Sequence, residues 1–219
     1  MAQRKVPLEV GRVYHIFSKS IAGFTIFRNN SEYQRIKYLL TYYNFTDLPW
    51  KFSRFFEMED KQKVHDNYFT KMEKLVDIIS YCIMPTHIHL VLKNLNQKAI
   101  STFMRKILDS YAKYFNIKTK RKGPLWQSRF ENVLVETEEQ LMHLTRYIHL
   151  NPVTAYLVDR PENWGFSSYK EFLDKEEEKD KICNYSNVLD IKPKEYEYFV
   201  NSQIDYQREL AGLKKLWIE

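Results

Sequence analysis

Two apolar runs separated by a short turn dominate the middle of the chain. Leu75 to Cys82 reads LVDIISYC, His87 to Lys93 reads HIHLVLK, and Met84-Pro85-Thr86 lies between them. Short runs rich in valine and isoleucine, bounded by proline, fit strands better than helices. So brief a connection makes the pair an antiparallel hairpin, and its apolar character places it at the centre of a sheet.

The remaining chain supplies strands and helices around that hairpin. Gly11 to Ser18 alternates apolar and polar residues as a strand does. Ser31 and Glu32 open a helix with Ile36, Leu39 and Leu40 on its apolar face, and residues 51–77 are charged and expected to be helical in part. Ala99 to Phe115 has helical spacing at Phe103, Ile107, Leu108, Tyr111 and Phe115. Trp126 to Glu136 alternates as a strand, with Phe130, Val133 and Val135 offered to the core. Thr137 with Gln140 then caps a helix that runs through Leu141, Leu144 and Ile148 and is expected to stop near Pro152. The order of elements predicts an α+β fold, one antiparallel sheet with packed helices. Asp174 to Lys181 reads as a solvated linker, and Glu195 to Leu216 as one or two amphipathic helices.

Composition limits the function classes. The 16% aromatic content is enough for a packed core, and five glycines in 219 residues do not suit a linker-rich chain. Cys82 and Cys183 are too few and too far apart for a disulfide framework or a zinc site. Met1 to Pro7 is polar and basic, unlike a signal peptide, and no apolar run reaches the length of a membrane span. A cytoplasmic protein with no membrane partner is expected. Charge is uneven: residues 1–152 carry 24 Lys and Arg against 14 Asp and Glu, whereas residues 153–219 carry 10 against 14. Lys93 to Arg129 holds ten basic residues and one acid, Asp109, interleaved with Tyr111, Tyr114, Phe115 and Trp126. That mixture suits a partner with phosphates and exposed base faces, and equally a solvated helix face.

Two constellations carry chemistry. His87 and His89 are two apart on a strand, so both imidazoles leave the same side of the sheet, where they can hold a divalent cation or stand as exposed polar residues. Tyr147 and Asn151 are four apart on a helix, with His143 on the same face. An amide there can complete a metal site while the phenol attacks a neighbouring phosphate. A packed aromatic and a helix C-terminus before proline account for the same two residues.

Taken together, four motifs resemble a known family. Tyr81 to His89 (YCIMPTHIH), Gly123 to Phe130 (GPLWQSRF), Arg146 to Val153 (RYIHLNPV), and Trp164 with Ser167-Ser168-Tyr169 occur in order, after Tyr14-His15-Ile16 and Ile26-Phe27. This set resembles the REP-associated branch of the single-tyrosine HUH transposases over roughly residues 11–172. The resemblance implies a ferredoxin-like HUH endonuclease fold in residues 1–172, with residues 173–219 as a charged linker and helical C-terminal extension.

It further implies that His87 and His89 bind Mg²⁺ or Mn²⁺, that Asn151 is a third ligand and that Tyr147 is the nucleophile. His143 and His149 are second-tier candidates. The implied activity is cleavage and rejoining of single-stranded hairpin DNA through a 5′-phosphotyrosine intermediate. DNA contacts are expected from Arg129 above all, then Lys113, Lys120, Arg121, Lys122 and Trp126. Thr86 stands where relatives often have an amide or acid. A homodimer, with the tyrosine serving in cis or in trans, is left open. A non-catalytic hairpin-binding protein on the same fold is the alternative. A histidine-triad hydrolase would need a histidine where Val91 stands, and a two-histidine phosphoesterase would need two His-x-Thr/Ser repeats.

Overall fold

The computed structural model describes residues 7–60 and 69–216. Four strands, β1 (Val13–Lys19), β2 (Val76–Met84), β3 (His87–Asn94) and β4 (Glu131–Val135), form one antiparallel sheet in the order β2-β3-β1-β4. With helices α1 (Asn30–Tyr42) between β1 and β2 and α3 (Ala99–Lys118) between β3 and β4, this is the split βαββαβ arrangement of ferredoxin-like folds. The short α2 (Phe52–Phe56) lies in the segment expected to be partly helical, of which residues 61–68 fall outside the described residues.

The predicted helix starts are capped as their sequences dictate. The Asn29 side chain accepts from the Glu32 amide at 3.2 Å. The Thr137 hydroxyl accepts from the Gln140 amide at 3.1 Å, while the Gln140 side chain accepts from the Glu136 amide at 2.9 Å. That reciprocal pair satisfies orphan donors and starts α4 (Glu138–Thr154). The helix runs past Pro152 instead of stopping there. Pro152 and Val153 are buried, and their packing holds the last turn against the bond that proline removes.

The sheet divides two apolar layers. On one face Tyr14, Ile16, Ile88, Leu90 and Leu92 meet the apolar sides of α1 and α3. On the other, Ile79, Cys82, Met84 and Val91 meet Leu141 and Ile148 of α4. A bulge between Ile78 and Ser80 shifts the register of β2. The second layer also takes Phe172 of α5 (Tyr169–Phe172), Leu189, and Tyr196 and Val200 of α6 (Pro193–Asn201). A last helix, α7 (Ile204–Leu216), follows. Among the described residues no helix is long and apolar enough to cross a membrane.

Two further sequence expectations change. The β2–β3 hairpin is not central: β2 is an edge strand, buried because residues 166–184 cover it. Amides of Ser168 and Asn184 donate to Tyr81 and Ile78 carbonyls, and the Ile83 amide donates to the Phe166 carbonyl. The strand expected from Trp126 begins only at Glu131, and Val133 is 53% exposed on an open edge rather than in the core. The run 174–181 is largely exposed, as expected of a solvated stretch, and Lys181 pairs within it with Asp174 and Glu178, each at 2.9 Å. Just beyond, the buried carboxylate of Glu171 accepts from the amides of Ile182 and Cys183.

Candidate active site

Strand alternation aims His15 and Phe17 of β1 and His87 and His89 of β3 toward the layer that contains α4. The register places Phe17 opposite His89 and Lys19 opposite His87. His87 and His89 stand edge to face with ring centroids 4.9 Å apart. Each uses its Nδ1 on a neighbour: His87 on the Thr86 hydroxyl at 2.9 Å, His89 on His15 Nε2 at 2.9 Å. Both Nε2 atoms are left for a ligand. Thr86 therefore orients the first histidine through its hydroxyl.

Burial sets the charge state of this pair. Loss of hydration, with Lys19 nearby, lowers the His87 pKa to about 4. Burial, then His87, His15 and Lys19, lowers that of His89 well below its usual value. Both rings are neutral at neutral pH and present lone pairs, as a metal ligand must. Among the described residues no group of three or more His, Cys, Asp or Glu side chains is placed to hold a metal. Among the described residues, a further donor to His87 and His89 is therefore an amide or a hydroxyl, with water or the substrate as the remaining choices.

Tyr147 comes to the same place from α4. Its ring stands edge-on to His89 with centroids 6.0 Å apart and remains 44% exposed. Partial burial raises its pKa, so the phenol is protonated at neutral pH. Asn151, one turn further on, has a buried Nδ2 with no hydrogen-bond partner among the described residues. Rotation of the amide by half a turn puts Oδ1 at that position. A buried amide without a protein partner is a group that a ligand is expected to satisfy.

The second-tier histidines lie elsewhere. His149 is fully buried, with Nδ1 on the Tyr196 hydroxyl at 2.6 Å and Nε2 on Ser168 at 2.7 Å, so both nitrogens are used. His143 is half exposed and contacts Arg146, Glu139 and Phe199.

The basic stretch splits into two parts. Leu125 and Gln127 pair with Ile21 and Lys19 at the end of the sheet that carries His87, and Lys120, Lys122 and Arg129 are all exposed. Arg121 is partly committed, donating to Asn116 at 3.2 Å. Trp126 is a correction: it is 9% exposed, in the first core layer, and its indole donates to the Leu108 carbonyl at 3.0 Å. It cannot stack on a base without leaving that core. Lys113 instead lines a groove of about 630 Å³ on the outer side of α1 and α3, across the sheet from Tyr147. Arg35, Lys51, Arg105, Lys106 and Lys118 also line it, against one acid, Asp109. Arg35 lies over the Tyr114 ring at 4.1 Å and the Phe52 and Phe56 rings at 5.1 and 5.0 Å. Sequence reading missed Arg35 and Lys51, because only tertiary packing brings them to α3.

Known proteins resemble this chain in sequence over part of its length and in fold over most of it. Residues 51–151, which contain both histidines, Tyr147 and Asn151, match the family model described as Transposase IS200 like. Over this stretch the chain is similar to that family. A curated protein of Haemophilus influenzae assigned as a REP-associated tyrosine transposase is 29% identical over 103 residues. The match spans 42% of this chain and 58% of that relative's length. A solved REP-associated tyrosine transposase bound to a REP hairpin superposes with a TM-score of 0.54 at 16% identity, covering 88% of this chain and 99% of the other. The ferredoxin-like α+β fold of the transposase is thereby shown.

Proposed function

We propose that this chain is a DNA strand transferase that cleaves and rejoins single-stranded, hairpin-forming DNA. The observation that carries the reading is the meeting of Tyr147 with the neutral His87–His89 pair across two layers of the fold. A non-catalytic hairpin binder has no need of a half-exposed phenol beside paired lone-pair donors.

His87 Nε2, His89 Nε2 and the Asn151 amide are the donors that would hold Mg²⁺ or Mn²⁺; the amide oxygen suits these hard ions, and water and phosphate oxygens would complete the shell. When bound, the cation supplies charge neutralisation at the scissile phosphate and favours phenolate. The Tyr147 oxygen then attacks phosphorus. A bond from tyrosine to the 5′-phosphate forms, the bond to the 3′-oxygen breaks, and the phenolic proton passes through solvent to the departing 3′-oxygen. The phosphotyrosine conserves the bond, so another 3′-hydroxyl reverses the step without ATP.

The exposed Lys120, Lys122 and Arg129 contact backbone phosphates, and the α1–α3 groove with Lys113 takes DNA further from the cut. We read residues 1–172 as the transposase unit and residues 173–219 as the extension, of which α6 and α7 pack against α4. End-labelled hairpin DNA tests the chemistry. A 3′-end label should travel with the protein and a 5′-end label should appear on a free fragment. The reverse distribution, or two free fragments, contradicts tyrosine attack of this polarity.

A further inference from the structure

We propose that His15 is a positioning residue for the metal site, acting through His89. This rests on the reading of His89 as a ligand. His15 Nε2 lies 2.9 Å from His89 Nδ1, with the two rings close to parallel at 20° and their centroids 5.2 Å apart. A neutral imidazole carries one proton. A hydrogen bond between two such rings needs one nitrogen protonated and the other bare.

If His89 Nδ1 carried no proton, its Nε2 would hold it and could not bind a cation. The arrangement that leaves Nε2 with a lone pair has His89 Nδ1–H donating to bare His15 Nε2, and His15 then carries its own proton on Nδ1. His15 is half-buried on the central strand β1, packed against Phe17 at 5.1 Å, so its acceptor is held by the sheet rather than by a loop. Thr86 does the same for His87 from the turn. The two ligands thus have separate orienting partners, and that of His89 sits 74 residues away in sequence.

The test compares full-length wild type with His15→Phe, which keeps a ring but loses the acceptor, and His15→Gln, which restores one. Manganese binding is read by electron paramagnetic resonance of free Mn²⁺, and the His89 tautomer by ¹⁵N imidazole resonances of the metal-free protein. His15→Phe should weaken Mn²⁺ binding by about 10- to 100-fold and mix the His89 tautomers, with recovery in His15→Gln. Unchanged Mn²⁺ affinity in His15→Phe, or a wild-type His89 protonated on Nε2, overturns the inference. His89→Ala binding Mn²⁺ as wild type does would overturn the ligand assignment itself, a result separate from either of those.

Discussion

Tyr147 on α4 stands edge-on to His89 on β3, with ring centroids 6.0 Å apart, although 58 positions separate them in the chain. Neither side chain touches the other's element by sequence proximity; the packing of α4 on one face of the sheet brings them together. The proposed nucleophile and the proposed metal ligand therefore sit on two rigid elements, a construction that holds a reaction geometry better than loops do.

Removing the imidazoles separates chemistry from binding. His87→Ala with His89→Ala should abolish Mg²⁺- or Mn²⁺-dependent cleavage while hairpin DNA is still retained on a native gel. Both side chains sit at the border of the second core layer, so a circular dichroism melt checks that the fold survives. Unchanged cleavage in the double variant removes these residues from the mechanism.

The α1–α3 groove makes a prediction about salt. Arg105→Glu with Lys106→Glu reverses two cations that line it. Hairpin affinity should fall about tenfold or more at low salt, and the slope of log K against log salt should flatten by about two. Cleavage of DNA at saturating concentration should be little affected. An unchanged salt slope places the DNA elsewhere.

Trp126 separates stability from recognition. Trp126→Ala should cost about 3–5 kcal/mol of stability by emptying a core site and freeing the Leu108 carbonyl. A thermal melt reads this directly. A selective loss of DNA binding at full stability would restore Trp126 as a base contact.

His149 predicts how the protein responds to acid. Burial lowers its pKa to about 3 from 6.5, so it is neutral in the fold and bonded to Tyr196 and Ser168. The unfolded chain takes up that proton below about pH 6.5 and the folded chain does not. Stability is lost as pH falls from 6.5 toward 3, by about 1.4 kcal/mol per pH unit from this group. Denaturant melts from pH 7 to pH 4 should show a shallower decline for His149→Gln than for wild type. Parallel declines would show that His149 does not control it.

Much of this was legible in the sequence, for physical reasons that differ by element. The β2 and β3 runs and the cap at Thr137 are local signals, and they appear where the residues put them, whereas the first helix starts one residue early, at Asn30 after an Asn29 cap. The side of the sheet shared by His87 and His89 follows from strand period alone. What escaped is tertiary. Nothing local shows that residues 166–184 would cover β2, that Trp126 would turn inward to Leu108, or that Tyr196 would reach back to His149. The bond from His15 to His89 is of the same kind, set by the pairing of β1 with β3.

The account rests most on Tyr147 as nucleophile, and a denaturing gel with labelled single-stranded hairpin DNA, in Mn²⁺ or EDTA, tests it most directly. Wild type should give a metal-dependent band shifted by the mass of the protein, and Tyr147→Phe should give none while binding the hairpin as before. A shifted band that persists in Tyr147→Phe would contradict the assignment, and full cleavage by that variant would remove Tyr147 from the reaction.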